Sequence, residues 1–149
     1  MISRKLRIPV VLDTNVLVRA LKTRSLASVN QRILRLWLIE RKLQLIVCAD
    51  LVDEYLSTLE TVLQLSDRSL HSWSQRFLGD PRSTVVRLGP RFSASRDPDD
   101  DLLLATAAAG KATALVSNDR DLLDLPDEFL ASLPFCVTTP SAFLRSLEQ

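Results

Sequence analysis

The chain has 149 residues, 46% of them apolar and 25% charged, with 19 Lys and Arg against 18 Asp and Glu. That is the profile of one globular domain and excludes a disordered segment. One histidine, two cysteines 88 positions apart and three scattered glycines exclude a multi-histidine metal site, a local zinc spacing and a Gly-rich phosphate loop, so any chemistry falls mainly to carboxylates.

Residues 8–12, IPVVL, form an apolar run that predicts a buried strand, with Pro9 near its start where a missing N–H is tolerated. A helix is expected from Asn15 to Leu21. Residues 29–42 bring Val29, Ile33, Leu36 and Trp37 to helical spacing, and 43–48 predict a second strand. Asp50 is a good N-cap for a helix whose Leu51, Tyr55, Leu59 and Val62 share one stripe. A helix over 67–78 and a strand over 83–88 follow. Residues 99–109 predict a helix stopped by Gly110. Then come a strand over 113–116, a helical turn over 121–125, a strand over 135–138 and a terminal helix opened by Pro140.

Strands separated by helical segments require crossovers, hence a parallel sheet covered on both faces. The predicted fold class is α/β, a three-layer α/β/α sandwich with a parallel central sheet, in one domain over residues 1–149. The strand order is not readable from these patterns. The basic start is followed by an apolar run cut at Asp13, too short for a signal peptide, and residues 102–116 contain Gly110 and Lys111 and fall short of a membrane span. The expected compartment is the cytoplasm.

Charge is uneven along the chain. Residues 1–45 hold ten Lys and Arg against Asp13 and Glu40, a net of +8, which leaves −7 for the remainder. Solvated helix faces explain this adequately, but a basic surface beside an acidic site also suits a polyanionic substrate. Arg19, Lys22, Arg24 and Arg120 are the cations nearest in sequence to acidic positions and are the candidate phosphate contacts. His71 lies away from those positions and reads as a surface or partner residue. Trp37 and Trp73 have apolar neighbours at helical spacing and read as core or interface.

Four acidic positions fall outside strand ends or at the start of the following helix, where parallel sheets place their chemistry. Asp13 ends the first strand in VVLDTNVLV, and Glu54 follows the second in ADLVDEYLSTL. The run Asp97 to Asp101 leads into LLLATAAA, and Asp119 follows the fourth strand in ALVSNDRDLL. Singly, each has a structural role as a turn former or a helix-dipole partner. Their recurrence at one edge points instead to a cation site, since converging carboxylates repel unless a cation intervenes. Oxygen ligands without histidine or thiolate match Mg²⁺ or Mn²⁺, which suits phosphodiester hydrolysis. Adjacent helical residues lie about 100° apart, so Asp100 and Asp101 face different ways. Asp100 shares a stripe with Leu103, Leu104, Ala107 and Gly110 and is favoured as the third acid, with Asp101 the alternative and Asp99 the better N-cap.

The ordered blocks VVLDTNVLV, DEYLSTL, DPDDDLLLATAAA and ALVSNDRDLL resemble those of a PIN domain over about residues 8–145. They are most similar to bacterial PIN proteins classed as toxin components and related to VapC-type toxins. The resemblance implies a metal-dependent endoribonuclease using Mg²⁺ or Mn²⁺, with Asp13, Glu54, Asp100 and Asp119 in the acidic positions and Asp101 and Asp121 as further metal ligands. Thr14 and Asn15 match the small polar pair after the first Asp, and Ser117 a hydroxyl before the fourth acid. Asn118 departs from the glycine often found there, although Asn tolerates positive φ. A type II toxin–antitoxin role, a cognate antitoxin protein and a homodimer are implied with it, the Leu-rich N-terminal helices offering a face for either partner.

Two other classes compete. A non-catalytic PIN-like RNA- or protein-binding module would not need the intact set of four acids. Phosphotransfer enzymes of the dehalogenase type want a second Asp two positions after the first, where this chain has Asn15. Response-regulator chemistry wants an acidic pair after the first strand, which Thr14-Asn15 does not supply.

Overall fold

In the computed structural model, which describes residues 6–88 and 98–148, the run Ile8–Leu12 forms strand β1 in the middle of a five-stranded sheet. The other strands are β2 (Leu43–Val47), β3 (Ser83–Val85), β4 (Ala114–Val116) and β5 (Cys136–Thr138). Every pairing is parallel, in the order β3-β2-β1-β4-β5. The helices are α1 (Thr14–Lys22), α2 (Val29–Leu38), α3 (Ala49–Leu63), α4 (Asp67–Leu78), α5 (Pro98–Ala109), α6 (Arg120–Leu123), α7 (Asp127–Ser132) and α8 (Pro140–Leu147). They cover both faces of the sheet in the expected three-layer α/β/α sandwich. Val10, Val11, Leu45, Val47, Leu115 and Val116 are wholly buried, as strands covered on both sides must be.

The strand order carries a consequence for function. From β1 the chain steps outward to β2 and β3, then crosses back to β4 on the other side of β1 and outward again to β5. This reversal opens a crevice beyond the carboxyl ends of β1 and β4, the usual ligand position in open parallel sheets. The register pairs Leu12 with Val116, so Asp13 and Ser117 leave the sheet side by side.

Several boundaries differ from the sequence expectation. Helix α2 stops at Leu38 rather than running to residue 42: Lys42 N–H turns back to the Leu36 carbonyl, and Arg41 adopts left-handed backbone with φ 55°. The N-cap of α3 is Cys48, whose extended backbone precedes the helix, and Asp50 lies inside the first turn, where its charge favours the helix dipole. Asp99 likewise lies within α5 rather than capping it. Strand β3 ends at Val85, three residues early, and the short α7 was not anticipated because six residues carry too little periodicity to read.

Gly110 does follow the last turn of α5, but for a different reason than a left-handed stop. The positive φ belongs to Lys111, at 51°, while a Cβ on Gly110 would meet Ile46 Cγ2 at 2.2 Å. Glycine is needed there for the close approach of α5 to β2.

Trp37 is wholly buried and stacks on Phe77 with centroids 5.9 Å apart, its Nε1–H donating to the Arg82 carbonyl at 2.9 Å. Trp73 and Tyr55 also contact Phe77, so both tryptophans serve the core. Cys48 and Cys136 are free thiols. Among the described residues no helix is long and apolar enough to cross a membrane.

Candidate active site

Asp13 is the residue at which β1 becomes α1. Its backbone is still extended, and its N–H continues the ladder to the Val116 carbonyl at 2.9 Å. Sheet register, rather than a loop, therefore positions the carboxyl. Asp13 occupies the N-cap position of α1 without making a capping hydrogen bond. Its Oδ2 instead accepts from the hydroxyl of Ser117 at 2.7 Å. Ser117 is wholly buried, and its Oγ accepts from the Asp119 N–H at 2.9 Å. Asp119 Oδ1 accepts from the Asp121 N–H at 2.9 Å and so caps α6. Asp119 thus has both the structural role foreseen for such a residue and a place beside Asp13.

Glu54 reaches the same edge from α3. Its Oε2 accepts from the Thr14 hydroxyl at 2.6 Å, which ties α3 to the residue after Asp13. The next residue of α3, Tyr55, donates its hydroxyl to the carbonyl of Leu12, the residue before Asp13. The sequence offered Tyr55 only as one member of an apolar stripe, and no local signal marks its hydroxyl for this contact.

Electrostatics show how closely these groups meet. Burial pushes the Asp13 carboxyl above its usual range, the Ser117 hydrogen bond and the N–H groups of Thr14 and Asn15 hold it down, and the charge of Asp119 pushes it up further. Burial also raises the Glu54 carboxyl against the hydrogen bond from Thr14, and the charges of Asp99 and Asp13 raise it more. Asp99, read from the sequence only as a helix start, therefore lies close enough to act on Glu54. That approach of α5 to α3 is a tertiary contact.

Within α5 the two alternatives separate by burial. Asp100 is 2% exposed, on the buried stripe with Leu103, Leu104 and Ala107, whereas Asp101 is half-buried and Asp99 exposed. Asp97 lies outside the described residues. Asp121 and Asn15 are exposed at the first turns of α6 and α1. Asn118 has no positive φ, so the loop does without the glycine-like backbone. Its Nδ2 donates to Asn30 Oδ1 at 3.3 Å.

The candidate cations are more dispersed. Arg19, Lys22 and Arg24 are exposed on and just beyond α1, Arg19 about 7.5 Å along the axis from Thr14 at the α-helical rise. Arg120 is exposed beside Asp119 and lies 3.9 Å from Asp124. His71 is exposed on α4 and takes no part.

Among the described residues, no cationic side chain pairs with Asp13, Glu54 or Asp119. Mutually repelling carboxylates with oxygen-only donors fit a hard divalent cation. No three His, Cys, Asp or Glu side chains among the described residues are gathered into a ready metal cage. Oxygen donors of this kind suit an ion that keeps several of its waters, as Mg²⁺ does.

The pattern of the PIN domain family matches residues 9–121, a span that includes every acidic candidate. The crystal structure of PAE2754 from Pyrobaculum aerophilum superposes with a TM-score of 0.52 at 16% identity, covering 96% of this chain and 91% of that one, a likeness of fold. No curated protein matches the sequence.

Proposed function

The chain belongs to the PIN domain family, and on that premise we propose that it is a metal-dependent endoribonuclease that hydrolyses RNA phosphodiester bonds. PIN domains as a class are nucleases. The observation that carries the finer reading is the pair of carboxylates, buried Asp13 and half-buried Glu54, raised by desolvation and by neighbouring carboxylates and lacking a cationic partner among the described residues. A fold selected only for stability has little use for such repulsion.

Asp13, Asp100 and Asp119 are the residues that would hold Mg²⁺ or Mn²⁺, with Asp101 and Asp121 available to a second ion. The cation, when bound, supplies Lewis acidity at the phosphodiester and charge for the leaving oxygen. Ser117 keeps Asp13 Oδ2 in one orientation, and Thr14 does the same for Glu54. Glu54, raised and half-buried, is suited to accept a proton from the attacking water. Arg19, Lys22, Arg24 and Arg120, all exposed, are the cations proposed to meet the phosphates of the RNA strand.

In this reading the protein works in the cytoplasm as the toxin of a type II toxin–antitoxin pair. Exposed Leu26 and Ile39 bracket α2 and offer apolar contacts to a second copy or an antitoxin helix. The alternative is a non-catalytic RNA- or protein-binding module. One observation favours it, that no complete metal cage is present among the described residues. The deciding experiment incubates wild type and Asp13→Asn with single-stranded and structured RNA, with and without Mn²⁺. Cleavage only by wild type with Mn²⁺ is expected; absent cleavage favours the alternative, and cation-independent cleavage removes the metal-dependent reading.

A further inference from the structure

We propose that Tyr55 is a positioning residue of the carboxylate site, its hydroxyl locking the helix that carries Glu54 to the strand end that carries Asp13. The proposal rests on the nuclease reading of that site. Tyr55 is the one tyrosine of the chain and is wholly buried. A ring of that shape would be equally well buried as phenylalanine, so the hydroxyl is the part that needs an explanation. It donates to the carbonyl of Leu12, where β1 ends.

Two ties then join α3 to the β1–α1 junction, and they flank Asp13. Tyr55 holds the residue before it, and Thr14, the residue after it, holds Glu54 at 2.6 Å. One tie alone leaves α3 free to pivot about it, whereas two fix both the distance and the turn of the helix relative to the strand. The ring itself cannot drift. It lies 5.0 Å from Phe77, which Trp37 and Trp73 clasp at 5.9 and 5.7 Å. The aromatic cluster thus acts as a rigid base from which the hydroxyl sets where Glu54 stands.

The test uses the full chain with Tyr55→Phe and, as a control from the core outside the aromatic cluster, Phe143→Leu on α8. For Tyr55→Phe, kcat on single-stranded RNA is expected to fall between about tenfold and a hundredfold, the scale of a small misplacement, with KM nearly unchanged and Mn²⁺ binding weakened in calorimetry. Phe143→Leu is expected to melt at a lower temperature yet keep its kcat below the melt. A Tyr55→Phe variant with wild-type kcat and Mn²⁺ affinity, or a Phe143→Leu variant with the same kcat loss, overturns the proposal.

A second measurement does not depend on the variant folding. Because the chain has one tyrosine, 3-fluorotyrosine labelling gives one ¹⁹F resonance, which is expected to shift as Mg²⁺ saturates the site. An unmoved resonance overturns the positioning role. Wild type that binds Mn²⁺ but cleaves no RNA removes the nuclease reading alone, and the Mn²⁺ affinity of Tyr55→Phe then decides the positioning role. Wild type that binds no Mn²⁺ removes both.

Discussion

Ser117 joins the two strand ends of the site through one atom: its Oγ donates to Asp13 Oδ2 at 2.7 Å while accepting the Asp119 N–H at 2.9 Å. Both partners lie at or near the buried edge of β1 and β4, so removing the hydroxyl strands an acceptor and a donor together. Ser117→Ala is expected to cost about 1–3 kcal/mol, the penalty for a buried polar group left unsatisfied. Chemical denaturation measures this, and calorimetry is expected to show weaker Mn²⁺ binding in the same variant. Unchanged values for both would remove Ser117 from the site.

Asp13 makes a prediction of opposite sign. Burial and the charge of Asp119 hold its carboxyl above the ordinary range. A carboxyl raised in the folded state stabilises fully below its unfolded value of about 3.9, and that contribution is lost as pH climbs through the higher folded value. At neutral pH without metal the ionised group is therefore a net burden. Asp13→Asn is expected to melt a few degrees higher than wild type in metal-free buffer, to gain nothing from added Mg²⁺, and to cleave no RNA. A lower metal-free melting temperature than wild type would contradict this account.

Gly110 links the α5 carboxylates to the sheet by close packing. An alanine there would place its Cβ 2.2 Å from Ile46 Cγ2, and Ile46 is buried and β-branched, with little freedom to yield. Gly110→Ala is expected to cost about 1–3 kcal/mol through overpacking. Combining it with Ile46→Ala is expected to cost less than the sum of the two single changes, because the clash and the cavity cancel in part. Strict additivity in a double-mutant cycle would show that the contact carries no strain.

Asp80 and Arg82 separate stability from chemistry. Arg82 donates its N–H and Nε–H to Asp80 Oδ1, both at 2.8 Å, and its Nη2 to Oδ2 at 2.6 Å. These hydrogen bonds hold the Asp80 carboxyl down at about 2. A depressed carboxyl stabilises above its unfolded value of about 3.9, and that contribution is lost as pH falls through the folded value. It is worth about 2 kcal/mol at neutral pH. Asp80→Asn is expected to lose that amount and to flatten the acid limb of the stability curve between about pH 4 and pH 2. Its RNA cleavage is expected to match wild type, because the pair precedes β3 at the edge of the sheet opposite the carboxylates. An altered kcat would mean that the two ends of the sheet are coupled.

Much of the fold was legible because the signals behind it are local. Apolar runs such as residues 8–12 and 43–48 identify strands, the second one residue too long, Gly110 and Pro140 mark helix ends, and α4 was bounded correctly at Asp67 and Leu78. The places where reading failed are those that local chemistry underdetermines. The cap of α3 moved from Asp50 to Cys48, α2 stopped at Leu38, and α7 was too short to carry a period.

By itself the sequence determined which residue types were available for chemistry: carboxylates, with one histidine and no phosphate loop. It also determined that Asp13, Glu54 and Asp119 follow strands, because strand and helix signals depend on near neighbours. Only the tertiary structure decided that these residues meet. The crossing from β3 back over β1 to β4 puts Asp13 beside Ser117, although 104 positions separate them. The helix that carries Glu54 closes on that junction through Thr14 and Tyr55. Strand order depends on which distant faces bury each other best, and no window of the chain contains both partners of those contacts.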